Sequence, residues 1–189
     1  MKTISRVNLH NSVRFLAGMS LYFLFSNIST AEEMEAKQVP ELTASVCVGE
    51  GVGQNRELAK IRAQEPTLYV FIQNEYWDRP IARLLRELDT QMNQNVTGGH
   101  IIAVWLSDRE LDRLKEHLPR VQQSIKLATT TYAVWPGDAF GPADWNLNRD
   151  DHITVISARD GKILDRHAFR STNEGDAPKI MKAFQNATK

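Results

Sequence analysis

The segment that decides the fold is TLYVFIQ, residues 67–73, a nearly continuous run of apolar, β-branched and aromatic side chains. Such a run is typical of a strand buried on both faces of a parallel sheet, and we expect it in the centre of that sheet. Beyond it, Asp78 can cap a helix over residues 79–93, which leads into a second buried strand over residues 100–106. Apolar residues recur at helical spacing along this helix, and the polar residues expected to face outward are Arg83, Arg86, Glu87 and Asp89.

The C-terminal third of the chain predicts a hairpin and a final helix. Strands are expected over residues 152–157 and 162–169, joined at Asp160-Gly161. An Asp-Gly pair between two such runs marks a hairpin turn. The final helix is expected over residues 176–186.

The middle of the chain connects these two units. The spacing of Ser107 and Glu110 is that of a capping box, which predicts the start of a helix, and residues 128–134 are expected to be extended. Residues 135–149 are rich in aromatic and turn-forming residues, which suits a partner-binding loop or a lid over the edge of the core. The whole order predicts an α/β three-layer sandwich, with a mixed central sheet and helices on both faces.

The N-terminus has the pattern of a secretion signal. Basic residues precede an apolar run over residues 15–25, and small residues follow it up to Ala31. This run has about 11 residues, whereas roughly 20 are needed to span a bilayer. We therefore predict a signal peptide over 1–31, a flexible lead-in over 32–44, and one domain over 45–189 of an exported, periplasmic or secreted protein. The alternative is an uncleaved anchor. No permanent membrane span is expected after cleavage.

The charge balance gives no electrostatic case for nucleic acid as a partner. The whole chain has 23 Lys and Arg against 23 Asp and Glu. Removing the three basic residues of the predicted signal peptide leaves 20 against 23, which is mildly acidic. No sequence pattern indicates a cofactor.

Cys47 is the only cysteine, so no intrachain disulfide or internal dithiol pair can form. A reactive thiol needs its thiolate stabilised by a helix N-terminus or a cation. Cys47 instead lies between Val46 and Val48, with Glu50 as its nearest charge in sequence. The pattern favours an inert, partly buried cysteine and predicts no catalytic residue. The alternative is a lone reactive thiol, placed near a helix end by the glycines that follow.

The glycine-rich segment 49–54 could suggest a dinucleotide-binding turn between a strand and a helix capped near Asn55, with Leu58 and Ile61 on its apolar side. Gln54 stands where the third glycine of that fingerprint is required, so a mobile turn is the better interpretation. No histidine spacing typical of metal ligands is present, and no metal site is predicted. The weaker alternative is a metal-dependent site around His152, which follows two aspartates.

The order of elements resembles the thioredoxin fold over roughly residues 55–187. The most similar part is DHITVIS, residues 151–157, with DGKI, residues 160–163, which is similar to peroxiredoxin-type and exported members of that superfamily. Active thioredoxins carry a CxxC pair where this chain has EYWDRP, residues 75–80, and a cis-proline where this chain has His152. The resemblance implies a thioredoxin-like domain that keeps the scaffold without the dithiol chemistry.

One surface is predicted to carry function, and its residues are Tyr76, Trp77, Asp78, Arg79, Asp151 and His152. If the fold is right, the last two approach the same end of the sheet as the first four. Two aromatic rings beside an Asp and an Arg suit recognition of a partner. In the equally supported alternative, Asp78 caps the helix and Trp77 packs against it.

The leading hypothesis is a non-catalytic module that binds a protein or peptide through the loops 74–80 and 135–149. The competing hypothesis is a single-cysteine thiol oxidoreductase or peroxidase that uses Cys47.

Overall fold

The computed structural model describes residues 37–186, so the predicted signal peptide over 1–31 and the start of the predicted lead-in lie outside the described residues. The strands of the described part are β1 (Thr43–Val48), β2 (Asn55–Glu57), β3 (Thr67–Gln73), β4 (His100–Leu106), β5 (Thr130–Val134), β6 (Ile153–Arg159) and β7 (Lys162–Phe169). The helices are α1 (Leu58–Ile61), α2 (Arg79–Asn95), α3 (Leu111–Ile125) and α4 (Ala177–Asn186). Short 3-10 turns lie at Asn74–Tyr76, Ala143–Trp145 and Glu174–Asp176. None of these helices is long and apolar enough to cross a membrane.

All seven strands form one mixed sheet in the order β2-β1-β5-β4-β3-β6-β7. β3, β4 and β5 are parallel to one another, and β6 pairs antiparallel with both β3 and β7. The predicted strand–helix–strand unit and the predicted hairpin are both present. β4 is the middle strand, and β3 lies beside it with all seven residues buried, so TLYVFIQ is an interior strand.

The two faces of the sheet bury separate clusters of apolar side chains. Leu68, Val70 and Ile72 of β3 face the cluster that α2, α3 and α4 cover, whereas Tyr69 and Phe71 face the opposite cluster. Alternation of side chains along a strand produces this division. The second cluster is covered by α1 and by the 3-10 turn in the 135–149 loop. Helices therefore lie on both faces, but the three long ones share a face.

The folded domain begins before residue 45, which corrects the predicted boundary. The Val39 N–H donates to the Gly161 carbonyl at 2.9 Å, and Leu42 is fully buried before β1 begins at Thr43. Residues 37–44 of the predicted lead-in are thus attached to the sheet. The attachment of residues 37–44 to the sheet could not be predicted from the sequence, because the alternation of buried and exposed residues there extends over only a few positions.

The segment 55–61 also differs from its predicted form. Asn55 begins the short strand β2, which pairs with β1, and the helix that follows is a single turn capped by Glu57. Leu58 is buried, but Ile61, at the end of the turn, is 46% exposed. The glycines of residues 49–53 therefore connect two antiparallel strands, and positive φ angles of 105°, 86° and 81° let the chain reverse there. That arrangement is unlike a dinucleotide-binding turn, which joins a strand to a helix.

Candidate functional site

The carboxyl ends of β3 and β4 meet at one edge of the sheet, where ligands bind in open α/β sheets. The segment 74–80 leaves β3 here and leads into α2, and residues 107–110 leave β4 and lead into α3. The 135–149 loop follows β5 at the same edge. The predicted surface and the long loop are therefore brought to one end of the molecule.

Two of the predicted site residues have structural roles. The Asp78 carboxylate accepts a hydrogen bond from the Ile81 N–H at 2.9 Å and caps α2. The Trp77 ring is half-buried and meets the ring of Trp105 edge-on, with their centroids 5.4 Å apart. Arg79 is exposed at the first position of α2. The capping interpretation therefore describes Asp78, whereas the ring contact of Trp77 is with β4.

Tyr76 and His152 are brought together, although they are 76 positions apart in the sequence. Their rings stack with centroids 3.7 Å apart and an interplanar angle of 11°. The His152 carbonyl accepts a hydrogen bond from the Gln73 N–H at 3.0 Å, which fixes the start of β6 beside the end of β3. Tyr76 remains 38% exposed, and Asp151 beside the pair is half-buried. The stacked pair occupies the position where the resemblance places redox thiols.

The 135–149 loop is held to the strand ends at Ala139. Its N–H donates to the Asp108 carboxylate at 2.7 Å, and its carbonyl accepts a hydrogen bond from the Gln73 side-chain amide at 2.8 Å. The other Asp108 oxygen accepts a hydrogen bond from Arg149 at 2.6 Å. Further along the loop, Trp145 is 2% exposed and packs on the second face of the sheet. The loop is therefore held against the strand ends and covers part of the second face of the sheet.

Phe140 projects outward from this loop and is 56% exposed. The Arg149 guanidinium lies over its ring, 5.3 Å from the centroid. The sequence predicted a binding role for the loop as a whole but did not identify this pair. No sequence signal points to it, because the contact joins two residues nine positions apart in an irregular segment.

A cleft of about 790 Å³ opens at this edge, between the ends of β3 and β4, the start of α3 and the 135–149 loop. Gln73, which is 3% exposed, and Leu106 form part of its wall. The positively charged residues that line it are Arg109, Arg113, Arg120 and Arg149. Its carboxylates come from Glu75, Asp108, Glu110 and Glu116.

The start of α3 lies at this cleft without a side-chain cap. The capping box predicted from Ser107 and Glu110 is absent, because Glu110 adopts a left-handed conformation with a φ of 51°. Its carboxylate pairs with Arg113 at 2.9 Å instead, and the Ser107 hydroxyl accepts a hydrogen bond from the Arg109 N–H at 3.2 Å. No side chain therefore caps α3, and the acidic residue of its first turn is Asp112, which pairs with Lys115.

Cys47 lies in β1, at an irregularity in the pairing with β5, and does not line the cleft. The residue is 7% exposed, and its thiol lies 3.5 Å from the Ser45 carbonyl oxygen. Burial raises the pKa of the Cys47 thiol to about 11, against a smaller lowering effect of Lys115. The thiol is therefore protonated near neutral pH, which disfavours it as a nucleophile.

The described residues include no group of three His, Cys, Asp or Glu side chains placed to hold a metal ion. His152, the histidine considered at sequence level, stacks on Tyr76, while the nearby Asp150 pairs with Arg170 at 3.3 Å.

Comparison with known proteins identifies the fold. No protein-family model and no curated protein matches the sequence. The structure matches a protein assigned as thiol:disulfide interchange protein DsbE from Chlorobium tepidum, with 15% identity, 82% of this chain and 97% of that chain covered, and a TM-score of 0.57. A thiol peroxidase from Chromobacterium violaceum has 13% identity, coverages of 82% and 87%, and a TM-score of 0.59. Peroxidoxin BcpB from Mycobacterium tuberculosis has 11% identity, coverages of 80% and 96%, and a TM-score of 0.57.

These likenesses confirm the fold expected from the order of elements. The chain has a thioredoxin-like fold, and with a single cysteine it carries no CxxC motif. At identities of 15% or less, the activities of the matched proteins do not transfer to this chain.

Proposed function

We propose that this chain is an exported, non-catalytic thioredoxin-like module that binds a protein or peptide at the carboxyl edge of its parallel strands. The observation that carries the proposal is the stacked pair Tyr76–His152, which presents aromatic surface at the start of α2, where a dithiol would otherwise stand. We call the surface formed by Tyr76, His152, Phe140 and Arg149 the edge face.

The composition of the edge face supports recognition of a macromolecule. Glu75, the neighbour of Tyr76 in sequence, and Arg149, whose guanidinium lies over the Phe140 ring, both line the cleft at this edge. Aromatic residues and arginine are enriched at protein interfaces and contribute most of the binding free energy there. Each ring of the edge face is already held by a neighbour, so binding costs little side-chain entropy.

The environment of Cys47 supports the non-catalytic part of the proposal. A thiol enzyme needs a thiolate that its substrate can reach. Cys47 is 7% exposed, and burial raises its pKa to about 11. The thiol also does not line the cleft. Cys47 therefore has neither the thiolate charge nor the solvent access that a single-cysteine thiol enzyme requires.

Partner capture tests the edge face. The full chain, immobilised through a C-terminal tag, is exposed to an extract of the source cells, and retained proteins are quantified by mass spectrometry. We expect Tyr76→Ala with Phe140→Ala to lower the yield of a specific partner at least about tenfold. The matched control is Ile61→Ala with Leu164→Ala, which removes apolar side chains that are 46% and 37% exposed elsewhere. Equal capture by both double variants would refute the edge face.

Alkylation of native Cys47 tests the alternative of a single-cysteine thiol oxidoreductase or peroxidase. Because burial raises the pKa from 9.0 to about 11, the thiolate population near pH 7 is reduced about 100-fold. We expect alkylation of the folded protein to be slower than alkylation in denaturant by at least that factor. Rapid alkylation, together with peroxide consumption that Cys47→Ser abolishes, would establish the thiol enzyme instead.

A further inference from the structure

A cavity of about 560 Å³ lies at the amino end of the parallel strands, away from the edge face. Pro66, which precedes β3, and Arg159, which ends β6, both line it. Because β6 runs antiparallel to β3, with Ala158 opposite Thr67, the end of β6 lies beside the start of β3. The rest of the lining comes from the end of α2 and the second half of α4. We call this space the amino-end cavity.

Arg159 supplies the charge of the amino-end cavity. Among the described residues that line the cavity, Arg159 has the one charged side chain, and none is an Asp or Glu. Glu65 and Asp160, which neighbour lining residues in the sequence, are exposed and lie outside the lining, and Glu65 forms an ion pair with Arg62. In the cleft at the carboxyl edge, by contrast, the described lining residues include as many carboxylates as arginines. The lining of the amino-end cavity is therefore positively charged, without a carboxylate to balance it.

The Arg159 guanidinium is held in place but has no counter-ion. The residue is half-buried, and its guanidinium lies over the Phe184 ring, 5.8 Å from the centroid. No described residue forms an ion pair or hydrogen bond with it, and its Nε is buried without a partner. Removing a charged group from water costs free energy unless an opposite charge or a hydrogen-bond acceptor compensates for the lost hydration. An anion beside Arg159 would supply that compensation, and the planar guanidinium matches the two oxygens of a carboxylate.

Apolar side chains form the wall beside the guanidinium. Pro66 and Val96 are half-buried, and Met181 is 3% exposed. Cavities of roughly 300–1,000 Å³ that combine an apolar lining with a few polar groups are typical of small-molecule sites. The amino-end cavity has that size and composition, so it suits a small ligand with one anionic group and an apolar body.

The ends of α2 and α4 at the cavity oppose an anion, because a helix C-terminus carries about half a negative charge. That partial charge is spread over several carbonyl groups and acts mainly within the last turn. The charge of Arg159 is a full unit and belongs to a side chain of the lining itself. The side-chain amides of Gln91 and Asn95 add donors, although Gln91 already donates one hydrogen bond to Glu87 at 2.6 Å. A ligand group that touches Arg159 therefore meets more positive than negative charge.

We propose that the amino-end cavity binds a small carboxylate with an apolar body. The carboxylate contacts the Arg159 guanidinium, and the body lies against Val96 and Met181. The site is at the opposite end of β3 from the edge face, so this inference is independent of the proposed function.

Ligand-observed NMR with the full chain tests the proposal. The probes are benzoate and hexanoate, an aromatic and an aliphatic carboxylate, and the comparison ligands are their neutral amides and the cation of benzylamine. Titrations followed by saturation-transfer difference signals are run at low ionic strength, where exposed charges are least screened. We expect carboxylate binding at least about tenfold tighter than binding of the matching amide, because the amide lacks the charge-assisted contact. Absence of binding by both carboxylates up to about 10 mM, equal binding of carboxylate and amide, or tighter binding of benzylamine overturns the proposal.

Charge variants locate the site. Arg159→Gln keeps a side-chain amide but removes the positive charge, and we expect it to weaken carboxylate binding at least about tenfold. Its control is Arg86→Gln, which removes an exposed positive charge from α2 outside the lining. Unchanged binding in Arg159→Gln, or equal weakening in both variants, overturns the proposal.

A second pair of variants leaves Arg159 in place. Thr97 is an exposed residue of the lining, so Thr97→Glu adds a negative charge to the cavity, and Thr97→Gln adds a neutral side chain of the same size. We expect Thr97→Glu to bind carboxylates about threefold or more weakly than Thr97→Gln, and the two variants to bind the amides equally. Urea denaturation checks that each variant is folded. Equal carboxylate binding by the two Thr97 variants would place the ligand elsewhere and overturn the proposal.

Discussion

The two ends of the parallel strands use aspartate in different ways. At the amino end, Asp89 of α2 is 5% exposed, and its carboxylate accepts hydrogen bonds from the N–H groups of Ala128 and Thr129 at 2.7 and 2.8 Å. The hydroxyls of Thr129 and Thr130 also donate to it, each at 2.8 Å. The carboxylate thus fixes the start of β5 to α2 through donors of which Thr130 is buried, Thr129 is half-buried and Ala128 is exposed.

At the carboxyl end, the side chain of Asp108 is 35% exposed and holds the Ala139 N–H and the Arg149 guanidinium. The same end leaves Phe140 and Tyr76 exposed to solvent. Arg109 and Arg120 are also exposed there, and neither forms an ion pair among the described residues. The amino end therefore buries the aspartate that it uses, whereas the carboxyl end leaves polar and aromatic groups exposed to solvent.

Among the titratable groups at the two ends, the largest effect is expected at Asp89. Asp89→Ala leaves the N–H and hydroxyl donors of residues 128–130 without their acceptor and should lower the free energy of unfolding by about 2–3 kcal/mol. The measurement is urea denaturation followed by circular dichroism. Asp89→Asn keeps the shape and one acceptor oxygen, so its loss should be smaller. A loss below about 1 kcal/mol in the alanine variant would contradict the structural role of this carboxylate.

A pH-dependent loss of stability is expected at the same amino end. Burial, and then the positive charge of Arg62, lowers the pKa of His100 from 6.5 to about 4, and its Nε2 lies 2.9 Å from the Thr131 hydroxyl. Because the unfolded histidine binds a proton at a higher pH than the folded one, stability is full above pH 6.5 and falls towards pH 4. The fall should be about 1–2 kcal/mol, since the ring is partly exposed.

The contribution of His100 is measured as the difference between wild type and His100→Gln in urea denaturation at several pH values. Glutamine can also hydrogen-bond Thr131 but does not titrate, so the difference between the two proteins should change between pH 6.5 and 4 and remain constant above that range. Parallel stability curves for the two proteins would show that His100 titrates normally in the folded state.

A smaller effect is expected at Asp108, which makes it the matched test of the carboxyl end. Asp108→Ala frees the Ala139 N–H and Arg149, but solvent can replace part of both contacts, so the free energy of unfolding should fall by about 1 kcal/mol. Hydrogen exchange should show faster exchange of amides in residues 135–149 and little change in α2. A loss as large as that of Asp89→Ala would remove the contrast between the two ends.

The strands with local patterns could be predicted from the sequence, while groups placed by distant contacts could not. The strand TLYVFIQ and the Asp160-Gly161 hairpin could be predicted, because consecutive residues show the apolar run of a strand buried on both faces and the residue types of a tight turn. Asp89 was assigned to the outer face of its helix, and that assignment is wrong. Its partners are residues 128–130, and nothing near Asp89 in the sequence identifies them.

The candidate site likewise contains contacts that the sequence predicted and contacts that it did not. The approach of His152 to Tyr76 followed from the fold, since the end of β3 and the start of β6 must meet at one edge. The Phe140–Arg149 pair and the loop contacts of Asp108 depend on how an irregular loop crosses the strand ends. Local patterns of hydrophobicity and turn residues carry no information about that path.

The smallest effect on stability is expected where the largest effect on binding is proposed. Tyr76 and Phe140 are 38% and 56% exposed, so truncating each to alanine should change the free energy of unfolding by less than about 1 kcal/mol. Trp145→Ala provides the contrast: its ring is 2% exposed and lies 4.9 Å from the rings of both Tyr69 and Phe71, so about 3–5 kcal/mol should be lost. Urea denaturation of the three variants measures the difference. A loss above about 2 kcal/mol at Tyr76 or Phe140 would mean that the exposed rings support the fold, and the carboxyl end would then resemble the amino end.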